Sequence, residues 1–224
     1  MIPIRDTIVS STTPIVTYAL IAANVAVYLH QESLGAGFER FIEVHGLVPR
    51  RFVLGWWNDA TPLFSSMFLH SGWLHLLGNM LYLHIFGDNV EDRLGHLRYL
   101  LLYLLAGVTA GLAQVAIHPG SALPMVGASG AIAGVTGAYL VFYPRARVVT
   151  LVPIFLFIQM VEIPAFFFIL IWFAFQLVAG VGNAHTATGG GIAFWAHIGG
   201  FVAGVLLGPA LAGPPSGRVR RFAG

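Results

Sequence analysis

Apolar residues gather along the chain into six stretches, residues 15–30, 74–86, 99–117, 126–143, 163–181 and 192–211, with polar connections between them. A hydrocarbon crossing takes roughly 20 apolar residues. The second stretch is short and extends outward through Trp73 and inward toward Glu91. A further stretch, 148–160, is too apolar for an ordinary loop, is broken by Pro153, and is too close to its neighbours to cross separately, so it is expected at the interface or as a re-entrant segment. The pattern predicts an all-α membrane protein, a six-transmembrane helical bundle. One domain, 15–211, carries an outer loop at 31–69. It lies between a short amino-terminal segment, 1–14, and a basic tail, 212–224.

Composition supports lipid as the solvent. The 224 residues are 57% hydrophobic and 9% charged, with a mean hydropathy of +0.81, more than a water-soluble domain of this length can bury. Polar residues 10–13 precede the first stretch and no small-residue cleavage site follows it, so it reads as a retained span. With no Cys, disulfides, iron–sulfur ligation and thiol catalysis are excluded.

All 11 basic residues are Arg. An amino terminus in the cytoplasm puts Arg5, Arg93, Arg98, Arg145, Arg147, Arg218, Arg220 and Arg221 inside and Arg40, Arg50 and Arg51 outside. That is the bias of a multi-pass protein with both termini cytoplasmic. The basic tail is then a contact for anionic lipid, and the pI of about 9.2 reports topology and not a nucleic-acid partner. The plain amino terminus, without appended domains, makes a prokaryotic plasma membrane the expected location.

In this topology the second, fourth and sixth helices begin on the outer side, and each carries a polar motif at its start. Ser129 lies 14 residues before Tyr143, and His197 lies 14 before Leu211. At about 1.5 Å per residue both sit roughly 9 Å below the outer edge of a core about 30 Å thick. Gly200, Gly204 and Gly208 form a small-residue face on the sixth helix, and Gly130 and Gly134 a similar one on the fourth. Such faces let helix backbones approach closely, which would bring Ser129 within reach of His197.

A serine hydroxyl becomes a nucleophile when a base takes its proton, and a neutral imidazole has a suitable pKa. No carboxylate lies at matching depth, so the expectation is a Ser129–His197 dyad opening to the outer side. His75 and Asn79, four residues apart, share a helix face. With the Ser129 N–H they offer donors for an oxyanion. Ser65, Ser66, His70 and Ser71 would line a wet approach. Bland alternatives stand beside these: Gly-Ala-Ser-Gly as a packing surface, His197 bonded to a carbonyl, and His75 with Asn79 as interhelical glue. His84 has no evident partner; His30, His45, His96, His118 and His185 fall in loops or at helix ends, where solvation is the default. No His-Glu-x-x-His pattern provides a zinc site, and Asp88 and Asp92 share a single turn, so neither metal nor aspartyl proteolysis is equipped.

The segments His70-Ser71-Gly72-Trp73-Leu74-His75-Leu76-Leu77-Gly78-Asn79, Gly127-Ala128-Ser129-Gly130 and Ala196-His197-Ile198-Gly199-Gly200, in that order, resemble the rhomboid intramembrane serine proteases. The likeness covers residues 15–211 and includes the turn 87–95 with Glu91, Asp92 and Arg93. It implies Ser129 as nucleophile and His197 as base, His75 and Asn79 at the oxyanion hole, and His70 as a supporting polar residue. It also implies hydrolysis of peptide bonds in or beside transmembrane segments of membrane-protein substrates, without metal or cofactor. Members often carry a Trp-Arg pair where this chain has Thr61-Pro62; Trp56-Trp57 offer another loop anchor. Some place a Tyr four residues after the nucleophile to stack on the imidazole; here it is Ala133, so the support of the His197 ring is not evident from the sequence. The alternative function is an inactive rhomboid-like protein that binds transmembrane segments and governs their trafficking.

Overall fold

A computed structural model of the chain describes residues 2–55, 59–154, 157–182 and 193–213. Trp56-Trp57, His185 and the arginines of the tail lie outside the described residues. In chain order the elements are β1 (Ile2–Asp6), α1 (Ile15–Ser33), α2 (Phe38–His45), α3 (Pro49–Gly55), α4 (Thr61–Ser65), α5 (Trp73–Leu94), α6 (His96–Ile117), α7 (Ser129–Phe142), β2 (Arg147–Ile154), β3 (Phe157–Pro164), α8 (Ala165–Gly182) and α9 (Phe194–Leu211). The six apolar stretches fall on α1, α5, α6, α7, α8 and α9. Among the described residues, His96–Ile117 and Phe194–Leu211 are long and apolar enough to cross a membrane; Ser129–Phe142 and Ala165–Val178 are shorter apolar helices. The last turns of α5 hold Asp88, Glu91, Asp92 and Arg93, which dilute its apolar character.

The expectation of an all-α fold is corrected by residues 147–164. It contains the stretch 148–160, expected to be interfacial or re-entrant, and forms a β-hairpin, to which β1 adds a third strand in the antiparallel order β1-β2-β3. The β-branched run Val148, Val149 and Thr150 suits a pleated surface, and all three are buried. Pro153, which cannot donate to a ladder, sits one residue from the hairpin's end, opposite Ile158.

α7 is the central helix, with every residue from Gly130 to Tyr139 buried. Its contact with α9 is backbone on backbone: a β-carbon on Gly200 would collide with the Gly130 carbonyl oxygen, and one on Gly204 with that of Gly134. Gly208 continues the face against Ala138, where a β-carbon would lie 2.8 Å from the Ala138 methyl. Gly130 and Gly134 present their own open sides to Ala110 and Ala106 of α6, so α7 is squeezed between two helices. Gly137, not singled out in the sequence, extends the seam against the Phe201 carbonyl.

The opposite end of the bundle is tied by carboxylates. α1 starts after Pro14, which has no side chain able to cap its first amides. Glu91 of α5 does so instead, accepting from the N–H groups of Val16 and Thr17 at 2.8 Å and from Thr17 Oγ1 at 2.7 Å. His96, expected to be solvated, lies 2.5 Å from the same carboxylate. Asp92 accepts from the backbone and hydroxyls of Ser11 and Thr12. His84 also finds a neighbour, stacking on Tyr18 with ring centroids 6.2 Å apart. On β1, Asp6 accepts from the Tyr139 hydroxyl and from Asn89 Nδ2, pinning the sheet to α7 and α5. Burial pushes the Asp6 carboxyl up to about 6 against the pull of the Tyr139 hydrogen bond.

Three outcomes are expected. Gly204→Ala, which sets a methyl against backbone, should destabilise the fold by about 1–3 kcal/mol and lower the thermal midpoint in detergent. Gly78→Ala in α5, where a β-carbon meets nothing within 4 Å, should hold or raise it, since Ala is the better helix former. The neutral form of Asp6 is favoured in the fold, so its stabilising effect is present below pH 4 and is lost as pH rises through about 6. Asp6→Asn should therefore gain stability relative to the parent chain between pH 4 and 7; midpoints that track each other at every pH would contradict this.

Candidate active site

The first residue of α7 is Ser129, delivered by a turn in which Gly127 has φ +122°. That conformation is open to glycine and strained for other residues. The turn is fixed by the Gly127 N–H, which donates to the Ser66 carbonyl at 2.9 Å. His197 lies in the first turn of α9. Because the glycine seam holds these two helices at backbone distance, the Ser129 hydroxyl and the imidazole meet: Oγ is 2.8 Å from Nε2. Both side chains are half-buried at the wall of a cavity of about 610 Å³.

The other face of the imidazole edge is engaged by α8. His197 Nδ1 lies 2.8 Å from Gln176 Oε1, and the Trp172 ring stands 6.1 Å from the imidazole, inclined by 34°. Gln176 was not singled out from the sequence, and Trp172, which belongs to an aromatic run that reads as lipid contact, faces the imidazole instead. The available signal was a lone amide in an otherwise apolar helix.

α5 brings His75 and Asn79 to the same cavity. The backbone N–H of Ser71 points at His75 Nδ1 at 3.5 Å, with Ser71 Oγ at 3.1 Å, so Nδ1 is the accepting nitrogen and the ring proton sits on Nε2. That Nε2 faces the Gly127 turn, where a β-carbon would lie 2.8 Å from it and 3.6 Å from Asn79 Nδ2. Asn79 donates one amide hydrogen to His70 Nε2 at 2.9 Å, and among the described residues its second hydrogen is free.

His70 supports this arrangement from the loop before α5 and does not reach the cavity. It is fully buried, and its backbone is clamped by Gln31 of α1, which accepts from the His70 N–H at 3.0 Å and donates to its carbonyl at 3.1 Å. Burial, reinforced by His75, pushes its imidazole down to about 4, so it is a neutral acceptor for Asn79 at physiological pH. The expected wet approach is only partly formed: Ser66 and Ser71 line the cavity, whereas Ser65 turns away to donate to the His45 carbonyl at 2.6 Å. Among the described residues no group of three or more His, Cys, Asp or Glu is placed to hold a metal ion.

The arrangement offers a hydroxyl with a basic partner, and two N–H donors converging on the turn that carries the hydroxyl. Acyl transfer needs these groups. A sequence model described as the Rhomboid domain matches residues 55–214. The chain is 44% identical over 85 residues to the Rhomboid protease GluP of Bacillus subtilis, covering 38% of this chain and 15% of that protein. It is 31% identical over 165 residues to the RHOMBOID-like protein 6, mitochondrial, of Arabidopsis thaliana, covering 74% and 48% respectively. To the Rhomboid protein 1, mitochondrial, of Saccharomyces cerevisiae it is 30% identical over 200 residues, covering 85% and 51%. The chain thus spans about half or less of the length of these relatives.

Gly127→Ala tests the tightness of the turn. A methyl there combines a strained φ with a collision against His75, at a cost of about 1–3 kcal/mol. The thermal midpoint should drop measurably, while Gly120→Ala, where a β-carbon meets nothing within 4 Å, should leave it in place.

Proposed function

The chain belongs to the rhomboid family, and from that premise we propose that it is an intramembrane serine endopeptidase that cleaves transmembrane protein substrates in or next to their membrane segments. The observation that supports this most is the 2.8 Å contact between Ser129 Oγ and His197 Nε2, with two N–H donors facing the same turn.

The reaction runs in two halves. Ser129 Oγ–H gives its proton to His197 Nε2 as Oγ forms a bond to the scissile carbonyl carbon, and the carbonyl π-electrons move to oxygen. The developing oxyanion is met by the Ser129 N–H, His75 Nε2–H and the free hydrogen of Asn79. Loss of one such donor typically costs on the order of 100-fold or more in rate. The C–N bond then breaks, the leaving amine takes the proton from His197, and an acyl-Ser129 ester remains. Water, deprotonated by the same imidazole, cleaves the ester and returns the proton to Oγ. The chain's own side chains supply every proton transfer, so the proposal includes no cofactor.

The membrane arrangement we propose is six spans on α1, α5, α6, α7, α8 and α9, both termini on the cytoplasmic side, and the site opening outward. Support comes from the arginine distribution and from the polar motifs at the starts of α5, α7 and α9, at the end of the bundle away from Glu91 and Asp92. The proposed domain is residues 15–211, with the outer loop 31–69 and the tail 212–224 outside the helical core. The family is membrane-embedded, and its named members include bacterial and mitochondrial proteins.

The test is direct. Purified protein should react with a fluorophosphonate at Ser129 and cleave a model single-span substrate. Ser129→Ala should abolish both, and His197→Ala should lower cleavage by about 100- to 10,000-fold. A well-folded parent chain that neither labels nor cleaves would instead favour a binder of transmembrane segments acting in trafficking.

A further inference from the structure

In the proteolytic reading, on which this inference rests, the base must be held in its usable tautomer. An imidazole can take the Ser129 proton only if Nε2 carries the lone pair and Nδ1 the hydrogen. Among the described residues no carboxylate stands at Nδ1. Gln176 Oε1 does, at 2.8 Å, and a carbonyl oxygen can only accept. The hydrogen it meets therefore belongs to Nδ1, which leaves Nε2 free to accept from Ser129 Oγ.

The surroundings of Gln176 give this contact weight. It is the sole amide, hydroxyl or charged side chain in α8, whose sequence is AFFFILIWFAFQLVAGVG. A polar group in such a helix is costly unless it is hydrogen-bonded. The outward face of α8 is apolar and open, with Phe167, Phe175 and Val178 all more than half exposed. Trp172 precedes Gln176 by one turn on the inward side and stands beside the imidazole face. On α7, one turn beyond Ser129, Ala133 presents only a methyl group and has nothing to orient a ring.

We propose that Gln176 is the positioning residue of the base: it selects the Nδ1–H tautomer of His197, with Trp172 as the wall that limits the ring's rotation. The hydroxyl, the imidazole and the group that orients the imidazole thus come from three helices, α7, α9 and α8. Displacement of α8 alone would release the base without moving nucleophile or oxyanion donors.

The experiment compares the parent chain with Gln176→Leu and Gln176→Glu in detergent. The ring nitrogens of His197 are observed by 15N NMR, with His197→Ala identifying the signals. The parent chain should show the Nδ1–H tautomer. Gln176→Leu should shift the population toward Nε2–H and lower kcat by about 10- to 100-fold, part of what a general base contributes, with KM within about twofold. Gln176→Glu keeps an acceptor at the same place and should restore the Nδ1–H form and most of kcat. A folded Gln176→Leu protein with the parent's tautomer and kcat would overturn the proposal, as would a Gln176→Glu protein as impaired as Gln176→Leu. The resting tautomer is read without turnover, so these outcomes differ from a failure of the proteolytic reading, in which the parent chain itself neither labels nor cleaves.

Discussion

The distance between α7 and α9 is set where Gly200 and Gly204 rest on the carbonyls of Gly130 and Gly134. Side chains usually keep helices about 8–10 Å apart, and dispersion falls off steeply over a gap of even an ångström. With no side chain between them, these two helices meet on hard backbone surfaces that cannot be repacked by a rotamer change. A hydrogen bond between groups on separate helices tolerates little error in that spacing. The contact at Ser129 and His197 is therefore a consequence of the seam beneath it, and the polar pair is only as well placed as the glycines allow.

Polar groups are concentrated at the two ends of α5, with distinct purposes. At its start, a chain of contacts runs from Gln31 through His70 to Asn79 and leaves one amide hydrogen facing the cavity. At its end, Glu91, Asp92 and Asp88 satisfy the amides and hydroxyls of the segment leading into α1. Between these ends α5 is largely apolar, with Leu76, Met80, Leu83 and Phe86 in the core. Gln31 of α1 holds the His70 backbone, and His70 Nε2 in turn holds Asn79 of α5. That suits groups that must keep direction in a low-dielectric surrounding, where a wandering donor is of little use.

The parts of this picture that are legible in sequence are those where polarity breaks an apolar run. Ser129 and His197 stand out because a hydroxyl and an imidazole are costly in a hydrophobic helix, and the four-residue glycine spacing marks the faces that meet. The hairpin at 147–164 was not legible, because hydropathy treats a β-branched strand and an interfacial segment alike, and its partner β1 lies at the other end of the chain. Gln176 was not legible as a contact. Its relation to His197 spans 21 residues and depends on how α8 leans on α9, and periodicity within one helix carries no information on that. His96 shows the same limit in reverse: a position that looks solvated by its place at a helix end acquires a buried anion from the helix before it.

The carboxylate that completes the first turn of α1 arrives 74 and 75 residues later in the chain. Until the end of α5 is made, α1 therefore lacks the carboxylate that accepts from its first amides. Closure of that turn couples α1 to the far end of a helix made much later in the chain. An amino-terminal fragment lacking α5 would carry α1 without the anion that secures its beginning.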